Sequence, residues 1–251
     1  MAAFLLLVVG VVWSLSQGAE KLGYNWTWVR IPRYLYTFGP DGLQFGPLLQ
    51  GLGITLQISV LSLILSLLIG LVTALFRLSG SPVARWLAHI YLELIRNTPL
   101  LIQIFIIYFV LAPILNIERF SSAVLALSLF EGAYASEVIR AGILGIPKGQ
   151  WEAAASLGMT RAQSYREIIL PQALRQMAPP LTSQGISLIK DSALVSTIAI
   201  YDLTMQGQQI VAETFLTFEV WFTVAAIYLA LTLSLSALVK LLEWRLADYD
   251  V

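Results

Sequence analysis

Residues 152–171 read Glu-Ala-Ala-Ala-Ser-Leu-Gly-Met-Thr-Arg-Ala-Gln-Ser-Tyr-Arg-Glu-Ile-Ile-Leu-Pro. They sit within 145–177, the long polar stretch in the second half of an otherwise apolar chain. Local signals predict two short helices joined by a tight turn. Pro147 suits the start of a helix, where its missing N–H would be unpaired in any case. Gln150–Leu157 carries three consecutive alanines, which are strong helix formers. Gly158 then suits a left-handed C-terminal cap. Thr160 is placed to N-cap a second helix, with Gln163 as its capping-box partner. Ala162, Tyr165, Ile168 and Ile169 fall on one face of that helix, and Pro171 is expected to end it.

The rest of the chain reads as a membrane protein. Of its 251 residues, 58% are hydrophobic and 12% charged, against about 25% charged in an ordinary soluble domain. The net charge is zero, which argues against a nucleic-acid partner. Cysteine is absent, so thiol nucleophiles, disulfides and Cys-ligated zinc are excluded. The single histidine, His89, lies on an apolar run and reads as structural, so no metal site is expected.

A bilayer core of about 30 Å needs about 20 apolar helical residues. Met1–Ala19, Ile54–Phe76, Asn97–Ile117 and Val220–Val239 meet or approach that length without a charge. Phe120–Ile146 and Met177–Leu203 are broken by charges. With the two broken runs counted as spans, a reading that rests partly on the family resemblance given below, the expectation is an all-α integral membrane protein with about six transmembrane helices. Residues 1–50 would form an N-terminal helix and an external segment, and 51–251 the membrane domain. Met1–Gly18 lacks the basic start and clear A-x-A site of a signal peptide, so a retained helix is expected.

Charge placement sets the orientation. With the N-terminus inside, eight cationic residues fall in cytoplasmic segments (Arg77, Arg85, Lys148, Arg161, Arg166, Arg175, Lys240, Arg245) and four outside (Lys21, Arg30, Arg33, Arg119). Both termini are thus expected in the cytoplasm. The external segment 20–50 carries Tyr24, Trp26, Trp28, Tyr34, Tyr36 and Phe38, which suit an interfacial aromatic belt, and it reads as a connector lying on the headgroups.

Glu152, Ala153, Ala154, Gly158, Ile168, Leu170 and Pro171 satisfy the pattern EAA-x3-G-x9-I-x-L-P at every fixed position. That pattern resembles the coupling loop of importer permeases of the ATP-binding cassette (ABC) class. Three further stretches narrow the resemblance to polar amino-acid permeases, over roughly Gly51 to Arg245. They are Tyr91–Leu101, carrying Glu93, Arg96 and Pro99; Ala133–Gly142, carrying Glu137 and Arg140; and Ile189–Ser196, carrying Lys190 and Asp191.

The resemblance implies a type I ABC importer fold with a five-helix core plus an N-terminal helix, in the bacterial cytoplasmic (inner) membrane. It also implies partners: an ABC ATPase dimer, a second permease chain, identical or related, and an extracytoplasmic substrate-binding protein. No G-x-x-x-x-G-K-[ST] occurs, so ATP and its Mg would be held by the partner ATPase, and this chain needs no cofactor of its own.

Candidate residues follow. A short helix seated in a partner's groove transmits displacement as a rigid body, so the coupling residues are Glu152, Ala153, Ala154, Gly158, Leu170 and Pro171. Charges inside spanning helices are costly, roughly 2.5–3.5 kcal/mol each on insertion scales, so they need partners or water. Glu93 with Arg96, and Glu137 with Arg140, are spaced to pair on one helix face. Both arginines also lie near expected cytoplasmic ends, within reach of headgroups.

Gln184, Ser187, Leu188, Asp191 and Val195 recur at helical spacing and form a polar stripe with an apolar margin. Such a stripe lines either a solute route or a helix interface. Asp191 could pair with a substrate ammonium. Arginine-importing relatives would carry an acid at the position of Gln184; the amide here tilts expectation to neutral or acidic amino acids. No catalytic constellation stands out, so no enzyme is expected. The rival readings are an ion-gradient-driven secondary carrier using Glu131, Glu137 and Asp191, a membrane enzyme, and a non-transporting scaffold or sensor.

Overall fold

A computed structural model describes residues 23–39 and 42–247, with seven isolated residues between 6 and 18 and side chains as far as Leu241. The expected helix Met1–Ala19, and with it the question of its retention, therefore lies outside the continuously described chain. Among the described residues, three helices are long and apolar enough to cross a membrane: α2 (Pro47–Leu78), α6 (Arg119–Leu144) and α11 (Thr217–Ala247), the last up to Leu241. A fourth span exists if α3 (Pro82–Arg96) is joined to the following Leu100–Leu115, a pair bent by 106°.

The expected span Asn97–Ile117 is thus a composite. It comprises α4 (Leu100–Phe105), a π-helical turn Ile106–Leu111 and α5 (Ala112–Leu115). The expected span Met177–Leu203 is also not one helix. Its charges and amides sit on α9 (Leu170–Asp191), which gives way to a 3-10 segment, Ser192–Ile198, before α10 (Leu203–Thr214). It is too polar to qualify as a span by composition.

The central pair is α2 against α6. At about 1.5 Å per residue, a 32-residue helix is ~48 Å long and exceeds the hydrocarbon core. Its burial pattern is the reverse of a soluble helix. Thr55, Ser59, Ser62, Ser66, Gly70 and Thr73 are buried, whereas Val60, Leu61, Ile64, Leu68 and Leu75 are exposed. In lipid, apolar side chains gain nothing by hiding, so small residues take the contact and let backbones approach.

Helix α6 answers with Ser122, Ala123, Ala126, Ala133, Ala135 and Ser136, all buried. Ser62 Oγ donates to the Val124 carbonyl at 3.3 Å, and Ser128 Oγ donates to the Ser62 carbonyl at 3.4 Å. At Gly70, a Cβ would stand 2.8 Å from the Ala135 Cβ. Around this seam, Ile58, Leu127, Ile104, Leu188, Val195 and Ile198 close the main apolar core.

The segment 23–46 is more ordered than a plain connector. A 3-10 turn at Trp28–Arg30 leads into α1 (Pro32–Leu35) and an antiparallel hairpin, β1 (Tyr36–Gly39) with β2 (Gly42–Phe45). Tyr36 pairs with Phe45 and Thr37 with Gln44. The sequence signal for the hairpin was Gly-Pro-Asp-Gly at 39–42, a turn tetrad between two aromatic runs.

The segment is pinned to the first turn of α11. Glu219 is fully buried there; the Thr27 N–H donates to its carboxylate at 2.6 Å and the Tyr24 hydroxyl donates to the other oxygen. Trp26 packs against Phe218 and stacks on Trp28, beside Phe222. Ile31 joins Leu48, Leu203, Leu216 and Val220 in a second apolar cluster.

Gly70→Leu is expected to separate α2 from α6 and to cost about 1–3 kcal/mol, as overpacking does. Gly80→Leu, where a Cβ meets nothing within 4 Å, should be near neutral. Thermal melting of the two detergent-solubilised variants checks the difference; equal Tm values would contradict the packing described.

Candidate functional site

The polar stretch folds as two joined pieces. Pro147, in an extended conformation, precedes α7 (Lys148–Ser156). The helix ends in a double cap. The Gly158 N–H donates to the Ala155 carbonyl at 3.0 Å and the Met159 N–H to the Ala154 carbonyl at 3.1 Å, with Gly158 at φ +72. This is the Schellman arrangement, which requires a left-handed residue where a side chain is strained. Thr160 caps the next piece, α8 (Arg161–Gln163): the Gln163 N–H donates to Thr160 Oγ1, and the Thr160 N–H donates to Gln163 Oε1 at 2.9 Å.

Past this point the expected geometry changes. The chain does not stop at Pro171. It passes through a π-helical turn, Ser164–Ile169, and continues as α9, with Pro171 in the first turn. The backbone stays helical through Ile169, and the wider π turn falls where Pro171 has no N–H to give, so the helix runs on. The π turn also shifts the side-chain register. Ile169 is fully buried and Ile168 half-buried, while Ala162 and Tyr165 point outward, so the four do not share one buried face.

The loop is rigidly seated on the membrane helices. Ala154 and Ile169 are fully buried, and Ile169 packs with Ala74, Ile143, Ala173 and Met177. At Gly142 of α6, a Cβ would stand 2.3 Å from Met177 Cγ, so α9 lies hard against α6. Trp151 meets Tyr165 edge to face at 4.9 Å. The outward side of α7 presents Glu152, Ala153 and Gly158, with Leu157 at 77% exposure. Leu170 and Pro171 lie exposed at the start of α9. The loop thus has one face bound to its own domain and one apolar-and-acidic face with nothing against it among the described residues.

The stripe on α9 divides. Gln184, Ser187 and Asp191 are half-buried, whereas Leu188 and Val195 are fully buried in the main core. Val195 lies on the 3-10 segment, where the α-helical spacing no longer applies. Glu131 of α6 is 6% exposed, accepts no hydrogen bond among the described residues, and lies close enough to Asp191 for their carboxyl groups to interact electrostatically. A single-helix stripe could not show this neighbour, which comes from another helix.

The two expected ion pairs also differ in outcome. Arg140 Nη2 is 3.3 Å from Glu137 Oε2. Arg96 instead crosses to α6, with Nη1 3.2 Å from Glu137 Oε1, and Glu93 accepts a hydrogen bond from the Asn97 amide at 2.8 Å. Arg77, at the end of α2, completes the group at 2.7 Å from the same oxygen. Glu137 therefore gathers three arginines from three helices. Sequence spacing recovers only the local one.

The sequence matches the family described as "Binding-protein-dependent transport system inner membrane component" over residues 66–248. The chain belongs to that family: it is a membrane permease component of the ABC importer class. It is 42% identical over 202 residues to the glutamine transport system permease protein GlnP of Escherichia coli (strain K12), covering 79% of this chain and 92% of that one. To the L-cystine transport system permease protein TcyB of Bacillus subtilis (strain 168) it is 44% identical over 210 residues, covering 82% and 89%.

Among solved structures, it superposes on an amino acid ABC transporter crystallised with histidines. The TM-score is 0.75 at 40% identity, over 79% of this chain and 94% of that one. An inward-facing MetNI methionine ABC transporter gives a TM-score of 0.68 at 20% identity, over 79% and 95%, and so shares the fold. The helical architecture is that of a type I ABC importer permease, and membership excludes the secondary-carrier reading.

Gly158→Val should strain the turn by about 1–2 kcal/mol, because a left-handed backbone disfavours any Cβ, while Gly158→Asn should be tolerated. Limited proteolysis of the loop checks this. Faster cleavage around Leu157–Met159 in the valine variant alone is the expected result.

Proposed function

We propose that the chain is the permease subunit of an ATP-driven importer of polar amino acids, coupled to a separate ATPase dimer through α7. The supporting observation is the rigid seat and free outer face of α7. A helix whose Trp151 packs on the Ala74–Met177 cluster, yet which offers Glu152, Ala153 and Leu157 outward, can carry a partner's displacement into α6 and α9. Energy enters at Glu152, Ala153, Ala154 and Gly158, with Leu170 and Pro171 starting the helix that relays it. ATP and Mg are held by the ATPase.

A second permease chain, identical or related, would cover the exposed flank of α11, of which only 6% of the apolar window is buried. Closure of the ATPases on ATP opens the path outward to receive solute from an extracytoplasmic binding protein, and hydrolysis turns it inward. The membrane is the bacterial cytoplasmic membrane, and both termini lie in the cytoplasm, as the eight-to-four charge bias indicates.

Solute passes along Gln184, Ser187 and Asp191, with Leu188 and Val195 backing the wall. Asp191 takes the ammonium group. The solute class stays neutral or acidic amino acids. The relatives named for glutamine and L-cystine agree with that class.

The test is uptake into proteoliposomes holding the whole complex, with binding protein added. Uptake of a neutral amino acid should require ATP; uptake driven by an ion gradient without ATP would overturn the proposal. Gly158→Val should keep ATP hydrolysis and lose uptake. Asp191→Asn should change apparent affinity or selectivity while leaving the ATPase bound. No change with any tested amino acid would make the α9 stripe packing rather than path.

A further inference from the structure

The arginine group around Glu137 is not neutral. Arg77, Arg96 and Arg140 place three guanidinium groups within 2.7–3.3 Å of one carboxylate. Glu93, one turn away on α3, is turned to Asn97 and does not join them. The excess is two positive charges. One nitrogen, Arg140 Nε, is buried without a hydrogen-bond acceptor, whereas Arg77 Nη1 is paired with the carboxylate at 2.7 Å. One carboxylate facing three guanidinium groups leaves positive charge uncompensated, and the group therefore favours an anion.

The position says which anion. Glu137 lies seven residues before the end of α6, so about 10 Å from the end that leads into α7. Helix α3 lies at 106° to the segment that follows it. If Leu100–Leu115 crosses the membrane, α3 lies nearly in its plane. The exposed face of α3 carries Val83, Trp86, Leu87 and Leu94, the pattern of a helix resting in the interface, with Arg96 at its end. The side chains of Arg96 and Arg140 are 48% and 32% exposed, so the group is open at that level. Basic pockets between membrane helices at headgroup depth hold lipid phosphates.

We propose that Arg77, Arg96 and Arg140 form a phosphate-binding site whose occupant is the headgroup of an anionic phospholipid in the leaflet nearest α7. Glu137 compensates one of the three charges, and the phosphate compensates another. Bound lipid would tie the ends of α2, α3 and α6 together beside the coupling loop. The site stands apart from the solute path and does not depend on which solute is carried.

The test uses the intact complex, exchanged into nanodiscs of phosphatidylethanolamine with phosphatidylglycerol. Native mass spectrometry after release counts the phosphatidylglycerol retained. Arg96→Gln and Arg140→Gln should each retain about fivefold less, while Arg85→Gln, on the same surface but outside the group, should match wild type. Glu137→Gln raises the excess charge and should retain more, an outcome that misfolding cannot produce. Equal retention in all four variants overturns the site. Displacement of lipid by millimolar inorganic phosphate, with charge-dependent phosphate binding in detergent alone, keeps the phosphate chemistry and overturns the lipid assignment. Loss of the ATPase from Arg96→Gln with lipid retention unchanged replaces the lipid by an acidic partner surface and also overturns it.

Discussion

The seam between α2 and α6 is the constraint on which the rest depends. Lipid offers no reward for hiding apolar side chains, so helices associate where small residues allow close backbone contact and serine hydroxyls reach carbonyls across the gap. Ser62, Ser66, Gly70, Ala123, Ala126 and Ala135 provide that contact. The seam sets the direction of α6, and α6 in turn carries Glu131, Glu137 and Gly142. The polar stripe of α9, the arginine group and the seat of the 145–177 loop are therefore all registered to one helix pair.

From that pair the route to the loop is short. Gly142 admits Met177, which brings α9 against α6, and Ile169 and Ala173 lock the start of α9 into the same cluster. Helix α7 meets the following π turn through Trp151 and Tyr165, and that turn runs straight into α9, on whose far end Asp191 sits. The helix between is not uniform. Pro179 and Pro180 lie inside it, each removing a backbone donor, and the Thr182 hydroxyl adds a bond to the Ala178 and Pro179 carbonyls, both at 2.8 Å. Loop and stripe are thus joined by one helix with a weakened middle.

At the opposite end, the chain has residues beyond those its relatives match, since the match covers 79% of it but 92% of the glutamine permease. The described part of the external segment is anchored, not loose. Glu219 is buried because Thr27 and Tyr24 satisfy it, and the indole rings of Trp26 and Trp28 shield that contact. An acid in the first helical turn also complements the helix dipole. This anchor fixes the entry to α2 relative to α11, two helices distant in sequence.

Sequence alone determined whatever depends on neighbours a few residues apart. The left-handed turn at Gly158, the Thr160–Gln163 capping box and the apolar lengths of α2, α6 and α11 are all of this kind. Each rests on local backbone geometry or on the thickness of the bilayer. Tertiary structure alone decided the partners of charges. Arg96 chooses Glu137, 41 residues away, over Glu93 on its own helix. Tyr24 reaches Glu219 across 195 residues, and Glu131 comes beside Asp191 from another helix. Spacing along one helix lists who could pair; a low-dielectric interior makes every charge seek the nearest opposite charge or donor, and only the packing of the helices says which is nearest.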